Sequence, residues 1–182
     1  MHALANMYNS LVNLAERMAP ATITTLARFT FAATLVGYFW ASALTKTGPG
    51  LLGVFQPTLG AYAQMFPKMM EAVSYDASKL GSIYYLIAVA GTLAEYILPF
   101  LIVVGLLTRL SSIGMIGFII VQTLTDLYGH GAIDHPETVG AWFDRIPDSL
   151  IMDQRLFWMA VLITLVLKGG GPLSLDRLLK IR

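Results

Sequence analysis

The chain has 182 residues, of which 56% are hydrophobic and only 13% are charged, and its net charge is +1. A soluble domain carries about 25% charged residues, so this chain has too few to cover a surface that faces water. The pattern indicates a single membrane domain over residues 1–182. The net charge of +1 argues against a nucleic-acid-binding protein, which needs a basic stripe that this sequence lacks. The absence of cysteine excludes disulfides and thiolate-held iron–sulfur clusters within the chain.

The apolar runs predict an all-α fold, an integral membrane four-helix bundle. A spanning helix needs about 20 mostly apolar residues, and such runs fall at 22–44, 83–107, 110–127 and 148–167. The clean apolar part of the fourth run is too short to span a bilayer alone. It reaches the required length if the helix begins near Pro147, because proline suits a first helical turn.

A stripe of apolar residues at helical spacing precedes the first predicted span. Its members are Leu4, Met7, Leu11, Leu14 and Met18. Asparagines and Arg17 fall largely on the opposite face. This pattern is typical of an N-terminal amphipathic interfacial helix on the cytoplasmic leaflet. Docking of the stripe onto a partner subunit is the alternative.

Two loops, 45–82 and 128–147, connect the spans on the predicted outer side. In the first loop, apolar residues recur at helical spacing: Leu59, Tyr62, Phe66, Met69 and Val73. They predict an interfacial or lid helix that breaks near Pro67. The second loop contains residues of metal-binding type: His130, Asp134, His135 and Glu137. Their spacing matches no metal motif, so a solvated loop is expected and no metal site is assigned.

Basic residues concentrate on one side of the predicted bundle. With the N-terminus inside, the inner flanks hold Arg17, Arg28, Arg109, Lys168, Arg177, Lys180 and Arg182. The only acids on that side are Glu16 and Asp176, whereas the outer loops are rich in acids. Because cytoplasmic flanks carry an excess of lysine and arginine, both termini are predicted to be cytoplasmic.

One acid, Glu95, lies in the middle of the second predicted span. A carboxylate at that depth is costly and normally faces a protein interior or a wet cavity. It could relay protons for a quinone or anchor a polar substrate. The structural alternative is a buried ion pair, for which Arg28 is the obvious partner. Pro99 removes the hydrogen bond to the Glu95 carbonyl, so a kink is expected to open a pocket beside the carboxylate.

Three polar residues are expected near the outer end of the bundle: Lys46, Gln122 and Asp126. Together they could line a pocket mouth, and Gln122 joins Glu95 as a candidate for binding a quinone or another polar ligand. An interfacial salt bridge with an interhelical hydrogen bond is the alternative, which such residues form more often.

The histidines limit what redox chemistry the chain can hold alone. His2, His130 and His135 all lie outside the apolar runs. A haem within the bilayer usually takes axial imidazoles from spanning helices, which this chain does not supply. If the protein takes part in electron transfer, another subunit must hold the cofactor or a free quinone must be the carrier.

Residues 95–110, with the sequence EYILPFLIVVGLLTRL, resemble the central signature of the DoxX family of small membrane proteins. The acid, the proline and the turn formed by Gly105, Thr108 and Arg109 stand in the order of that family. Thr108 and Arg109 are then expected to form a structural turn between helices.

Further parts of the chain are similar to the same family. Arg28 and Lys46 match the pattern of its first helix, and residues 171–176 match its tail. The similarity extends over residues 28–178. The family often has a glycine shortly before the lysine, where this chain has Ser42–Ala43.

The resemblance implies a four-helix protein of the bacterial-type inner (plasma) membrane. It suggests an accessory subunit of a quinone-linked respiratory or redox complex, not catalytic alone, with other redox subunits as partners. No cofactor is assigned to this chain beyond a quinone or lipid near Glu95. A small transporter that uses the buried carboxylate is one alternative, and a purely structural membrane scaffold is another.

Overall fold

A computed structural model describes residues 2–181, and α-helix is their dominant conformation. The first helical rod consists of α1 (His2–Phe31), a π-helical turn (Ala32–Val36) and α2 (Gly37–Lys46). The predicted interfacial helix is therefore not a separate element, because the helix runs through Pro20 into the first predicted span. Its first part keeps its apolar stripe exposed.

The remaining helices follow in chain order. Between α2 and the next long helix lie two short helices, α3 (Leu59–Met65) and α4 (Pro67–Ala72), flanked by 3-10 turns at Gly53–Phe55 and Ala77–Lys79. The later elements are α5 (Ser82–Val104), α6 (Thr108–Leu124) with a π-helical turn (Thr125–Gly129), a 3-10 turn (Ala132–Asp134), α7 (Pro136–Val139), α8 (Met152–Lys168) and α9 (Leu175–Leu178).

The structure confirms the all-α prediction. Among residues 2–181 the extended pairing is limited to one antiparallel bridge between Thr47 and Pro57. The predicted helix in the first loop is also confirmed, and it breaks at Phe66, one residue before the proline that starts α4. Proline fits there because a helix does not need the amide hydrogen of its first residue.

Four helical segments form a closed ring around one core. The rod of α1 and α2 packs against α8 on one side and against α5 on the other, and α6 packs against both α5 and α8. The core consists of buried side chains from every member of the ring: Phe31, Leu35, Phe39, Ile102, Met115, Ile119, Leu162 and Leu165. The segments that connect the helices lie at the two ends of the ring. We call the end with residues 47–81 and 130–151 the loop end, and the end with residues 105–107 and 169–181 the tail end.

Among residues 2–181, two helices are long and apolar enough to cross a membrane. They are Ser82–Val104, with a mean hydropathy of 2.1, and Thr108–Gly129, with a mean hydropathy of 1.5. They correspond to the predicted runs 83–107 and 110–127. The fourth predicted helix begins at Met152 rather than at 148. Its start is delayed because Ser149 and Asp153 hydrogen-bond each other's backbone and side-chain groups and hold the preceding turn.

Candidate functional site

A cavity of about 550 Å³ opens between α5 and α6 near the loop end. Small residues on the two helices make the space, among them Gly91, Ala94, Gly114 and Gly117. Much of the remaining wall is apolar, but polar side chains gather at one end of the cavity. The volume lies within the range of roughly 300–1,000 Å³ that is usual for small-molecule sites.

A buried ion pair forms the polar floor of this cavity. The Lys46 ammonium lies 3.0 Å from each carboxylate oxygen of Glu95, and each residue is only 4% exposed. Ser42 completes the cluster: its hydroxyl donates to Glu95 over 3.0 Å, and both its hydroxyl and its carbonyl accept hydrogen bonds from Lys46. Every donor of the ammonium and both carboxylate oxygens are therefore satisfied.

The helix register explains why these residues meet. Ser42 and Lys46 are one turn apart on α2, and a lysine side chain leans back towards the preceding turn. From Ser82 to Glu95, α5 rises about 20 Å, because each helical residue adds about 1.5 Å. The start of α5 thus projects beyond the end of α2, where α3 packs on it. This offset places Glu95 at the level of Ser42.

Gln122 lines the same cavity and connects two helices. Its side-chain amide donates to the Tyr38 hydroxyl over 2.7 Å. Its carbonyl oxygen is buried and has no hydrogen-bond partner among residues 2–181. A buried acceptor without a donor is costly, so this oxygen is an unsatisfied acceptor in the wall of the cavity.

Asp126 forms a second ion pair at the edge of the cavity. It lies in the π-helical turn that ends α6 and pairs with Arg155 of α8. The guanidinium is 10% exposed, and its Nε and Nη1 find no partner in the described part of the chain. The pair therefore bridges α6 and α8 and leaves two donor nitrogens of Arg155 without an acceptor among the described residues.

The loop end covers part of the cavity. His130 contacts the Gln64 carbonyl through Nε2 over 2.9 Å, and both residues line the cavity. Met65 packs against Gly91, where an added Cβ would lie 2.8 Å from the Met65 methyl carbon. The first loop is thus held on α5 and tied to the second loop. Within residues 2–181 no group of three metal-ligating side chains is close enough to hold a metal ion.

Arg28 lies at the tail end and does not pair with Glu95, so the predicted Arg28–Glu95 pair is wrong. Its guanidinium donates to the carbonyls of Ile102, Val103, Gly170 and Leu173. From Arg28 to Ser42 the rod rises about 21 Å, which is too far for a direct contact. Arg28 instead ties the end of α5 to the tail.

Pro99 is fully buried but does not line the cavity. Leu98, its neighbour on α5, does line it. The space beside Glu95 comes from the small residues on α5 and α6, and the expected opening by a proline kink is not what forms it.

Thr108 and Arg109, which were expected to form the turn between helices, are the first two residues of α6, and the turn itself consists of residues 105–107. The amides of Leu107 and Thr108 donate to the Asp176 carboxylate over 2.6 and 2.9 Å. Arg109 donates to the carbonyls of Val166 and Leu167 at the end of α8. Thr108 therefore connects α6 to α9, Arg109 connects α6 to α8, and neither residue lines the cavity.

The structure brings together four residues that the sequence singled out: Glu95, Gln122, Lys46 and Asp126 all line one cavity. Sequence reasoning missed Ser42, Tyr38 and His130 as lining residues, and Arg155 as the partner of Asp126. Ser42 had a usable signal, since it precedes Lys46 by one helical turn. The others depend on packing between distant segments, for which no local pattern exists.

Comparisons of the chain with models of known families, with curated proteins and with solved structures find no match. The features of the molecule that bear on its function are the cavity, the polar cluster and the distribution of apolar surface.

Proposed function

We propose that the protein is a DoxX-like integral membrane protein with four spans that binds a quinone in the cavity beside Glu95. In this proposal it is an accessory subunit of a membrane redox complex and contributes the quinone site, not the redox metal. The main support for this proposal is a largely apolar cavity that ends in the buried Lys46–Glu95 pair.

The placement in a membrane is supported by where the apolar surface lies. In the most apolar windows of Ser82–Val104 and Thr108–Gly129, only 33% and 22% of the residues are buried. The core helix of a soluble protein is mostly buried, so these helices expose an unusual amount of apolar surface. The rod of α1 and α2 and helix α8 pack alongside them, which supports four spans in one layer. The excess of basic residues at the tail end supports cytoplasmic termini.

The cavity suits a ligand with a polar head and an apolar body. The wall between α5 and α6 is accessible, because Ile87, Ala90, Gly117 and Val121 line the cavity and are exposed. A ligand dissolved in the bilayer could enter there without crossing water. Quinone carbonyls are hydrogen-bond acceptors. The Tyr38 hydroxyl lines the cavity and accepts a hydrogen bond from Gln122, so its own hydrogen is free to be donated to a quinone.

The sharpest test fills the cavity without disturbing the fold. An added Cβ at Gly117 meets nothing within 4 Å, although the residue lines the cavity. Gly117→Leu should therefore fold normally and weaken binding of a short-tailed ubiquinone analogue by roughly 10- to 100-fold, the order that overfilling a packed site costs. Gly37→Leu is the matched control, because Gly37 also has open space around it but does not line the cavity.

Binding can be followed by tryptophan fluorescence of the protein in lipid nanodiscs. Trp158 packs against Tyr38, with ring centroids 5.3 Å apart, and Tyr38 lines the cavity. A quinone in the cavity should therefore quench this tryptophan. Equal binding to both leucine variants would refute the quinone site.

The accessory role needs a separate test. Purification from native membranes in mild detergent should recover a haem, flavin or iron–sulfur subunit in fixed ratio with this chain. A protein that comes out alone, with no quinone binding, would refute the redox proposal. Solute uptake into liposomes that Glu95→Gln abolishes would instead support a transporter.

A further inference from the structure

A second cleft, of about 700 Å³, lies at the tail end, away from the quinone cavity. It is bounded by the first turn of α6, the glycine run 169–171 and α9. Four cationic side chains line it: Arg109, Lys168, Arg177 and Lys180. The cleft therefore has the charge of a site for an anion.

The acid in the lining, Asp176, forms no salt bridge with these cations within residues 2–181. Asp176 accepts hydrogen bonds from the amides of Leu107 and Thr108 and so caps the start of α6. Among residues 2–181 none of the four cationic side chains forms a salt bridge. Such a concentration of unpaired positive charge around one cleft attracts an anionic group.

Backbone and hydroxyl donors add to the positive charge. The amides of Arg109 and Leu110, in the first turn of α6, have no hydrogen-bond partner in the described chain. The Thr108 hydroxyl is fully buried and also has no partner there. A helix N-terminus with free amides favours a phosphate group, and a buried hydroxyl without an acceptor is a second sign that a ligand group belongs here.

The glycines let the run 169–171 pack closely against buried side chains. An added Cβ at Gly170 would lie 2.6 Å from the Thr108 hydroxyl oxygen and 2.7 Å from the Ser174 Cβ. Gly169 and Gly171 have φ angles of +78° and +77°, which glycine adopts without strain. The Arg28 guanidinium also holds this run in place by donating a hydrogen bond to the Gly170 carbonyl. The run is therefore shaped and held in place independently of any ligand.

We propose that this cleft binds a phosphate group, carried by an anionic phospholipid head group or by a small soluble phosphate ester. Arginine and lysine side chains next to free amides are the donor set that recognises phosphate oxygens. The site stands apart from the quinone cavity, and its test does not depend on quinone binding. If the same basic residues acted only as topology determinants, they would show no preference for a phosphate carrier.

The test compares two variants with the same change of charge. Arg177→Gln with Lys180→Gln removes two cations that line the cleft, and both side chains are exposed and make no hydrogen bonds to residues 2–181. Lys68→Gln with Arg145→Gln removes two exposed cations from the loop end. The protein is placed in nanodiscs of phosphatidylcholine with a small fraction of phosphatidylglycerol, and lipids that stay bound are counted by native mass spectrometry. Nanodiscs expose both faces, so the orientation of insertion does not affect the result.

We expect the wild type and the loop-end variant to retain phosphatidylglycerol in preference to phosphatidylcholine. The cleft variant should bind phosphatidylglycerol about 25-fold more weakly, because each basic residue near an anionic surface contributes about a factor of five. A parallel titration with glycerol 3-phosphate identifies the source of the phosphate. Displacement of the lipid supports a soluble ester, and no displacement supports the lipid head group.

Two results would overturn the proposal. In the first, both variants lose phosphatidylglycerol equally, which would mean general attraction to an anionic surface. In the second, the wild type shows no preference for phosphatidylglycerol and does not bind glycerol 3-phosphate.

Discussion

The buried ion pair gives the most direct test of the structure. Lys46 and Glu95 are each 4% exposed, and their charged groups lie 3.0 Å apart. Removing one partner of a buried pair leaves an uncompensated charge and costs about 3–5 kcal/mol. We therefore expect Lys46→Met and Glu95→Gln each to lower the free energy of unfolding by about that amount.

The double variant should recover much of this loss. With both Lys46→Met and Glu95→Gln, no buried charge remains, and replacing a buried pair by neutral groups is often close to neutral. Ser42 keeps a partner, because its hydroxyl can donate to the glutamine carbonyl as it does to Glu95. We expect a coupling energy of about 2–4 kcal/mol between the two positions, the order of a buried and fully hydrogen-bonded pair.

The assay is a double-mutant cycle on the protein in detergent micelles, unfolded by increasing fractions of sodium dodecyl sulfate and followed by tryptophan fluorescence. Lys79→Met is the control, because Lys79 forms an exposed ion pair with Asp76 and should change stability by less than about 1 kcal/mol. Additive losses from the two single variants, or losses no larger than that of the control, would contradict the pairing of Lys46 with Glu95.

Two further predictions concern the ends of the ring. Asp126→Asn should lower the free energy of unfolding by about 1–2 kcal/mol. This loss is smaller than for a fully buried pair, because the Asp126 side chain is 33% exposed. Adding Arg155→Met to Asp126→Asn should restore part of the loss in the same unfolding assay. Gly105→Ala should cost more than about 2 kcal/mol, because the residue has a φ of +70° and its Cβ would lie 2.5 Å from the Ser174 Cβ. Gly81→Ala, with nothing within 4 Å of the added Cβ, is the control. A similar small loss in both alanine variants would contradict the tight contact between the turn and the tail.

The candidate site could be predicted in part, because an isolated polar residue in an apolar run is visible without a structure. Glu95 and Gln122 stand out in this way, and Lys46 and Asp126 mark ends of apolar runs. All four line the same cavity. What could not be predicted is which polar groups pair. Tyr38, the partner of Gln122, and Arg155, the partner of Asp126, lie in segments distant in the chain. A local sequence pattern does not predict contacts between such segments.

The helical class and the positions of α5 and α6 follow from the order of residues alone, because two long apolar runs with a glycine at their junction favour two helices joined by a short turn. Gly105 adopts the left-handed conformation that ends α5, and the amide of Leu106 closes the turn on the Leu101 carbonyl. These features are local, since they depend on residues within a few positions of one another.

Long-range packing determines which cation meets Glu95. The predicted spans 22–44 and 83–107 are antiparallel, so the end of the first is level with the start of the second. This places Glu95 midway along its span, closer to the level of Arg28 than to that of Lys46. In the structure α3 packs on the first part of α5, which projects beyond α2 and brings Glu95 level with Ser42. The axial offset of two helices depends on how the segment that connects them packs against them. This packing is a long-range contact, so it cannot be predicted from the residues of either helix alone.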